Sequence, residues 1–433
     1  MTVDQITQPA APSRPWADLT CRYGLLYVLL FLFGAEMYLV APLLPTISDD
    51  FGVPTTHVAA LVTVYVIVQA VAGPFQGLAY PILGARTLVV AGSLTFAAGN
   101  ILAAVTDHFA VLTLSRAIAG LGVSLAGPAI WAWIANTAPE EVRGTAVGAA
   151  MGSFAVGQVC GVPIGAFVAS AAGWHWSFAV MGISAVLAAP LLHFALKHAR
   201  PTPVADRDTA PQWKTLLRAW HPGLLRGTLL VTFGFHAANL GAYTFLSEIL
   251  ADKHHLDVAQ LGYIGALSGA GMFVGAVAGG RIADHLRRRG RTEYTVLPLW
   301  LLIVGAAIAV AVLSNQLWLS LALVPVWFFA AGAFDTNQQT AVARLSPGFT
   351  AVALAWNLSV LYAAAAFGVW AMSAGTHRAG SVSGIAGVLL LLAFVGATFL
   401  GVRQRKTPPS TKDREDEANP TSAVDHTSES EVR

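Results

Sequence analysis

The chain has 433 residues, of which 55% are hydrophobic and 11% are charged, and its formal net charge is +2. Soluble globular domains carry about a quarter charged residues, so this composition excludes an ordinary water-soluble domain, and the small net charge gives no sign of a nucleic-acid partner. A mean hydropathy of +0.62 and repeated long apolar runs predict a membrane protein, because about 20 apolar residues cross the hydrocarbon core.

Twelve apolar spans follow one another along the chain. Each is predicted to be a helix, because backbone groups in lipid need partners within their own segment. The first six spans are 24–45, 57–80, 87–105, 109–134, 144–170 and 174–195. The second six are 226–250, 260–280, 294–313, 317–343, 350–374 and 382–402. The fold class predicted is therefore an all-α membrane protein with twelve transmembrane helices in two six-helix bundles.

Polar segments separate and flank these two bundles, which cover 24–196 and 226–402. Residues 1–23 form a predicted cytoplasmic tail, and residues 197–225 form a predicted cytoplasmic linker. Residues 403–433 are rich in charge and free of aromatic side chains, so we expect a disordered cytoplasmic tail.

The distribution of Lys and Arg predicts the orientation of the spans. With the N-terminus inside, 22 of the 25 basic residues fall in inner segments, two in outer segments and one, Arg116, within a span. Cytoplasmic loops of membrane proteins carry such an excess of basic residues. We therefore expect a multi-pass protein of the plasma (inner) membrane with both termini in the cytoplasm.

The two halves repeat weakly. The segment Gly77–Arg86 follows the second span and Gly280–Arg289 follows the eighth, 203 residues later. The same offset places Glu36 on Asn239, in the middle of the seventh span. Duplicated six-helix halves are typical of transporters that bind their substrate near the midplane between the repeats.

Glu36 and Arg116 are the strongest candidates for chemistry, because an ionisable side chain within a span usually faces a cavity or a partner. Counted from the outer ends of their spans, both lie about 11 to 13 Å deep. We therefore expect them to share one cavity and to pair. Burial favours the protonated carboxylic acid, whereas a nearby cation favours the carboxylate, so Glu36 is a candidate proton carrier. The alternative is a static ion pair that only fixes helix packing.

Two other acidic residues lie closer to the ends of their spans. Asp335 is expected near the inner face, either solvated or paired with Arg344. Glu248 is expected at the outer end of the seventh span, as a solvated group or an outer-gate contact.

Aromatic side chains with a few polar groups form the predicted wall of a substrate cavity, which suits apolar or planar molecules. His236 is either a second titrating group or part of an ordinary interhelical hydrogen bond. No metal site and no cofactor are predicted, since His254 and His255 lack further ligands. The predicted cavity residues are Tyr38, Tyr65, Gln69, Phe235, His236, Asn239, Tyr243, Trp356, Asn357 and Tyr362.

Several residues are predicted to control gating. Asp284 is expected to form an inner latch with Arg344 and with the free amides that begin the ninth span, and Arg143 lies in the corresponding inner region before the fifth span. The fifth span also carries a stripe of small residues that allows a close helix approach, and a proline that bends the helix. These residues are Gly157, Gly161, Pro163 and Gly165.

Four motifs, taken together, resemble the major facilitator superfamily, specifically its twelve-helix drug:proton antiporters and sugar-efflux-type permeases, over residues 24–402. They are Glu36 through Pro45, Arg116-Ala-Ile-Ala-Gly120, Gly157-Gln-Val-Cys-Gly161-Val-Pro163-Ile-Gly165, and Gly280-x-x-x-Asp284 with the basic run after it.

The resemblance implies that Arg116 takes part in proton transfer. In the family, an aspartate of the first inner loop helps to hold an inner gate closed, but Pro81 occupies that position here. The resemblance therefore implies a first-half gate that is latched differently, or a gate latched only in the second half.

The function predicted is secondary active transport, by alternating access, that couples proton entry to efflux of a small amphipathic or hydrophobic molecule. Lipid, protons and that molecule are the expected partners of a monomer. A sugar or metabolite exporter and a non-transporting membrane sensor remain alternatives. No nucleotide loop, HExxH pattern or nucleophile elbow is present, so an enzyme is not expected.

Overall fold

The structure is a computed structural model, and it describes residues 15–139, 142–196, 223–345, 350–374 and 379–406. All regular elements in these ranges are helices. Eleven of the helical segments are long and apolar enough to cross a membrane, and Leu297–Leu313 is a shorter apolar helix. The predicted all-α membrane fold is therefore confirmed.

The first half contains six labelled helices. They are α1 (Pro15–Phe51), α2 (Thr55–Val105), α3 (Phe109–Thr137), α4 (Arg143–Val156), α5 (Val162–Ala172) and α6 (Trp174–Ala195). The second and third predicted spans both lie in α2, which bends at Gly84, a residue with φ 74° and ψ 161°. Glycine adopts this backbone conformation readily because it has no Cβ.

The second half also contains six helices. They are α7 (Gly223–His254), α8 (Val258–Arg288), α9 (Leu297–Leu313), α10 (Leu317–Leu345), α11 (Thr350–Ser373) and α12 (Ala379–Lys406). A short 3₁₀ turn, Glu293–Thr295, precedes α9. In this half each helix matches one predicted span.

Several helices extend beyond the predicted spans. Helix α1 begins at Pro15 instead of residue 24, and α12 continues to Lys406, into the segment predicted to be a disordered tail. Just before the predicted start of the span, Tyr23 is fully buried and its hydroxyl lies 3.1 Å from Thr137 Oγ1. The rest of the predicted tails, and nearly all of the predicted linker, lie outside the described residues.

The fifth predicted span is interrupted by a π-helical turn. This turn, Gly157–Gly161, joins α4 and α5, and Pro163 is the second residue of α5. Proline has no N–H to donate to the preceding turn, and its ring crowds the carbonyl four residues earlier. A single π-helical turn is one of the ways in which a helix accommodates such a disruption.

The contacts between the two halves include α2 with α11, α1 with α7, and α8 with α1, α4, α5 and the π turn. At the predicted outer side, the Thr55 hydroxyl of α2 donates a 2.6 Å hydrogen bond to Glu248 Oε1 of α7. A glycine face of α8 also packs on the first half: Gly262 and Gly265 meet α5, and Gly269 meets the π turn. The halves are therefore in contact on the predicted outer side.

Candidate functional site

A buried ion pair lies inside the first half. Arg116 of α3 donates through Nη2 to Glu36 Oε1 of α1, and the Arg116 and Glu36 side chains are 1% and 0% exposed. The pairing expected from their depths is present. The second carboxylate oxygen of Glu36 and two nitrogens of Arg116 (Nε and Nη1) have no hydrogen-bond partner among the described residues. These three polar atoms are therefore buried without hydrogen bonds, which costs free energy of folding.

Aromatic rings flank the Arg116 guanidinium. Its Cζ atom lies 5.2 Å from the centroid of the Tyr65 ring of α2 and 4.9 Å from that of the Phe178 ring of α6. Cation–π attraction contributes about 0.5–2 kcal/mol at each such contact. These ring contacts stabilise the cation in addition to its pairing with Glu36.

The helix that carries Glu36 is held by backbone-level packing. A Cβ atom on Gly157 would collide with the carbonyl oxygen of Phe31, and one on Gly161 would collide with Ala35, next to Glu36. Gly165 approaches Leu39 in the same way. The predicted glycine stripe of the fifth span therefore packs directly against α1. The opposite side of the π turn and α5 packs on α8.

The second half contains a histidine–aspartate contact that the sequence did not predict. His236 Nε2 of α7 lies 3.2 Å from Asp335 Oδ1 of α10. Asp335 was expected to be solvated at the inner face or paired with Arg344, and this expectation was wrong. Counting residues along α10 gave a depth but not the direction of the side chain, which points toward α7.

Aromatic side chains lie where the two halves meet. Tyr38 of α1 and Tyr243 of α7 are in edge contact, with ring centroids 5.1 Å apart, and Phe328 of α10 contacts both rings at 6.4 and 5.5 Å. The Tyr38 hydroxyl is next to Gln158 of the π turn and also interacts electrostatically with Asp335 and Tyr362. Tyr362 interacts with Tyr65 as well.

Other predicted cavity residues bond within their own half. Asn239 accepts a 2.7 Å hydrogen bond from the Trp327 indole. Asn357 Oδ1 accepts hydrogen bonds from Gln338 at 2.7 Å and from Thr232 at 3.1 Å. These amides are buried, and they hold α7, α10 and α11 together.

Three further residues predicted to line the cavity also make contacts within their own half. Gln69 donates a 3.3 Å hydrogen bond to the carbonyl of Tyr65 in its own helix. Phe235 stacks on Phe334, with centroids 4.0 Å apart. Trp356 packs against a small separate cluster of buried apolar residues.

Asp284 and Arg344, expected to form an inner latch, are not paired with each other in this structure. Helix α8 continues past Asp284 to Arg288, so this carboxylate stays on an exposed helical surface and pairs with Arg287, three residues later. Arg344 instead lies 3.1 Å from Glu293, whose side chain is 3% exposed. The turn after α8 brings Glu293 to the end of α10. Arg143 lies exposed at the first position of α4.

The residues that were missed share one property. Phe178, Gln158, Trp327 and Glu293 look unremarkable in the sequence, and each gains its significance from a partner on another helix. Asp335 did carry a signal, an acidic side chain in an apolar span. Among the described residues, no group of three or more His, Cys, Asp or Glu side chains is placed to hold a metal ion.

The chain resembles known membrane proteins over most of its length. A sequence profile of the Major Facilitator Superfamily matches residues 26–369. The uncharacterized MFS-type transporter YceJ of Bacillus subtilis (strain 168) is 26% identical over 379 residues, covering 86% of this chain and 94% of YceJ. A chloramphenicol resistance protein of Streptomyces lividans is 27% identical, with 87% and 96% covered. A probable sugar efflux transporter of Mannheimia succiniciproducens is 26% identical, with 75% and 79% covered.

Solved structures show the same fold at low sequence identity. A crystal structure of the peptide transporter POT superposes with a TM-score of 0.71 at 18% identity, covering 89% of this chain and 95% of that one. A bacterial homologue of the human lysosomal transporter Spinster, in an inward-facing and unoccupied conformation, gives a TM-score of 0.69 at 16% identity, with 93% and 100% covered. The chain is thus a transporter, not an enzyme, and belongs to the major facilitator superfamily.

Proposed function

We propose that the protein exports a small amphipathic or hydrophobic molecule across the plasma membrane in exchange for protons, with both termini in the cytoplasm. The observation that carries this proposal is the fully buried Glu36–Arg116 pair. A carboxylate within a span is costly and usually functional. This one lies beside a helix, the α4–α5 element, that packs on the other half of the molecule.

The proposed cycle uses the two protonation states of Glu36. When Glu36 is ionised, it neutralises Arg116, and the pair is compact. When Glu36 binds a proton from one side of the membrane, Arg116 is released and is held by the Tyr65 and Phe178 rings. A rocking motion between the halves then exposes the protonated acid to the other side, where it releases the proton.

The substrate class follows from the aromatic surface between the halves. The Tyr38, Tyr243 and Phe328 rings are buried against one another where the halves meet, and separation of the halves would present them to a planar apolar molecule. The relative that confers chloramphenicol resistance agrees with export of such a molecule.

Sugar export is the second candidate, and it is favoured by the relative described as a probable sugar efflux transporter. Within the described second half, however, the Asn239 and Asn357 amides already bond to other side chains. This leaves fewer amide groups to bind sugar hydroxyls.

The test measures proton flux directly. Purified protein is reconstituted in liposomes that contain a pH-sensitive dye, and chloramphenicol, ethidium or arabinose is added. We expect proton movement with at least one of the first two compounds and none with arabinose.

Glu36→Gln mimics the protonated acid and should abolish this flux, whereas Asp107→Asn, which alters an exposed carboxylate in the loop before α3, should leave it intact. Full proton coupling in the Glu36→Gln variant would reject the proposed role of Glu36. A response to arabinose alone would favour the sugar candidate.

A further inference from the structure

The His236–Asp335 pair joins the first and fourth spans of the second half, α7 and α10, just as Glu36–Arg116 joins α1 and α3 in the first half. The two pairs do not lie at equivalent positions, because the 203-residue offset places Glu36 on Asn239 and Arg116 on Leu319. The acid lies on the first of these spans in the first half and on the fourth span in the second half.

The two pairs respond differently to a proton. Arginine stays charged, so the Glu36–Arg116 pair is neutral when the acid is ionised and has a net charge of about +1 after protonation. Histidine changes charge near neutral pH. With a neutral His236, the second pair has a net charge of about −1, and binding one proton makes the pair neutral. Because net charge is costly in an apolar interior, proton binding is easier to accommodate at the second pair.

The second pair is largely buried but keeps some access to solvent. The His236 and Asp335 side chains are 9% and 13% exposed. Apart from the contact with His236, Asp335 Oδ1 has no hydrogen-bond partner among the described residues. This oxygen can therefore accept a proton without breaking another bond.

The helices around the pair present few titratable groups to it. Tyr38 of α1 interacts with Asp335, and Tyr362 of α11 interacts with Tyr38. Tyr243, on the same helix as His236, interacts with Tyr38 as well. In the described parts of α8, α9, α10 and α12, the other charged residues lie toward the helix ends, such as Asp284, Arg344 and Arg403. The groups near the pair are thus phenols, which stay neutral at ordinary pH.

The pair also faces the contact between the halves. Through Tyr38, Asp335 is linked to α1, the helix that carries Glu36, and Gln158 of the α4–α5 element lies beside the same hydroxyl. A change of charge at Asp335 therefore acts on side chains that belong to the other half.

We propose that His236 and Asp335 form a second proton-binding site, so that each half carries one exchangeable proton through the transport cycle. This inference rests on the proposed proton-coupled transport and adds a site to it. The competing explanation is that the pair only fixes α7 against α10 and binds no exchangeable proton. The experiments below distinguish these two roles.

The first measurement counts protons without any substrate. Purified protein in detergent is titrated from about pH 9 to about pH 5, the range in which histidine changes charge. Wild type should bind one proton more than the double variant His236→Gln/Asp335→Asn. In Asp335→Asn the uptake should move to lower pH, because His236 then lacks its counter-charge. Asp107→Asn is the matched control and should bind as many protons as wild type, over the same pH range. Equal proton binding by wild type and the double variant would overturn the proposal.

The second measurement asks whether this proton is coupled to the conformational change. Spin labels at positions 57 and 252, exposed near the predicted outer ends of α2 and α7, report opening of the outer side in a cysteine-free background. If two protons are linked to opening, its equilibrium constant should change about a hundredfold per pH unit in wild type and about tenfold in Asp335→Asn. Asp335→Glu should restore most of the wild-type response, and His236→Gln serves if Asp335→Asn does not fold.

The possible outcomes distinguish the two proposals. If Asp335→Asn keeps the wild-type pH response while Glu36→Gln loses part of it, the second site is rejected and the role of Glu36 stands. If Glu36→Gln keeps the full response, the proposed role of Glu36 fails, whatever Asp335→Asn does. A response that both variants reduce, each by about tenfold per pH unit, supports a proton in each half.

Discussion

Replacing the members of the Glu36–Arg116 pair with methionine should have unequal effects on stability. Glu36→Met leaves Arg116 buried, at 1% exposed, and without its counter-charge. Because arginine cannot lose its proton in a protein, we expect a loss of about 3–5 kcal/mol. Arg116→Met leaves a carboxylic acid that can become neutral by binding a proton. The loss is then only that of an unpaired buried polar group, about 1–3 kcal/mol.

The pH dependence of the two variants should differ for the same reason. The loss in Arg116→Met should shrink as the pH falls, because protonation removes the buried charge. No such relief is available to Glu36→Met, whose remaining charge does not titrate. In the double variant, neither charge is buried, so its stability should return to within about 1 kcal/mol of wild type or exceed it.

Equilibrium unfolding of the purified protein in mixed detergent micelles, followed by tryptophan fluorescence, completes this double-mutant cycle. Strong non-additivity is the expected result, since residues in direct contact do not contribute independently. If the losses of the two single variants simply add in the double variant, the side chains do not stabilise each other and the pair described here is not formed. Equal losses in the two single variants, unchanged by pH, would refute the argument from proton uptake.

Two further predictions concern helix contacts. Gly157→Ala should destabilise the protein by about 1–3 kcal/mol, because the new methyl group meets the backbone of α1. Gly152→Ala is the control, since a Cβ there meets nothing within 4 Å. The midpoint temperature of its thermal unfolding should be unchanged or slightly higher than that of wild type. Thr55→Val removes the 2.6 Å hydrogen bond to Glu248 and should lengthen the mean distance between spin labels at positions 57 and 252. In Thr63→Val, which loses only a bond to its own helix, this distance should match wild type. Equal distances in both variants would mean that the bond does not hold the halves together on this side.

The sequence was sufficient to predict the architecture, because apolar runs and basic loops can be recognised from residue types and their order alone. It was also sufficient to predict the contact between Glu36 and Arg116, since both charges are rare in their surroundings and lie at similar depth. It failed for Asp335, whose partner depends on the rotation of α10 about its own axis. One residue changes that rotation by about 100°, so a depth estimate alone cannot predict the partner.

The inner contacts show a second limit of prediction. Asp284 and Arg344 belong to regions that are close in the fold, so their pairing was a reasonable expectation. The length of α8 determined which acid meets Arg344. The helix continues about two turns beyond the predicted end of the span, which keeps Asp284 on the helix and brings Glu293 beside Arg344. Helix ends are the part of a fold that sequence patterns determine least well.

The packing of α5 and its π turn has a consequence for how this transporter can diversify. One side of the element touches the backbone of α1 at Gly157, and the other receives the glycine face of α8 at Gly269. Almost any enlargement on either side would separate main chains that are already in contact. New specificities, whether selected in nature or in a laboratory library, should therefore arise from substitutions on α2, α7, α10 and α11, while α5 accumulates almost none.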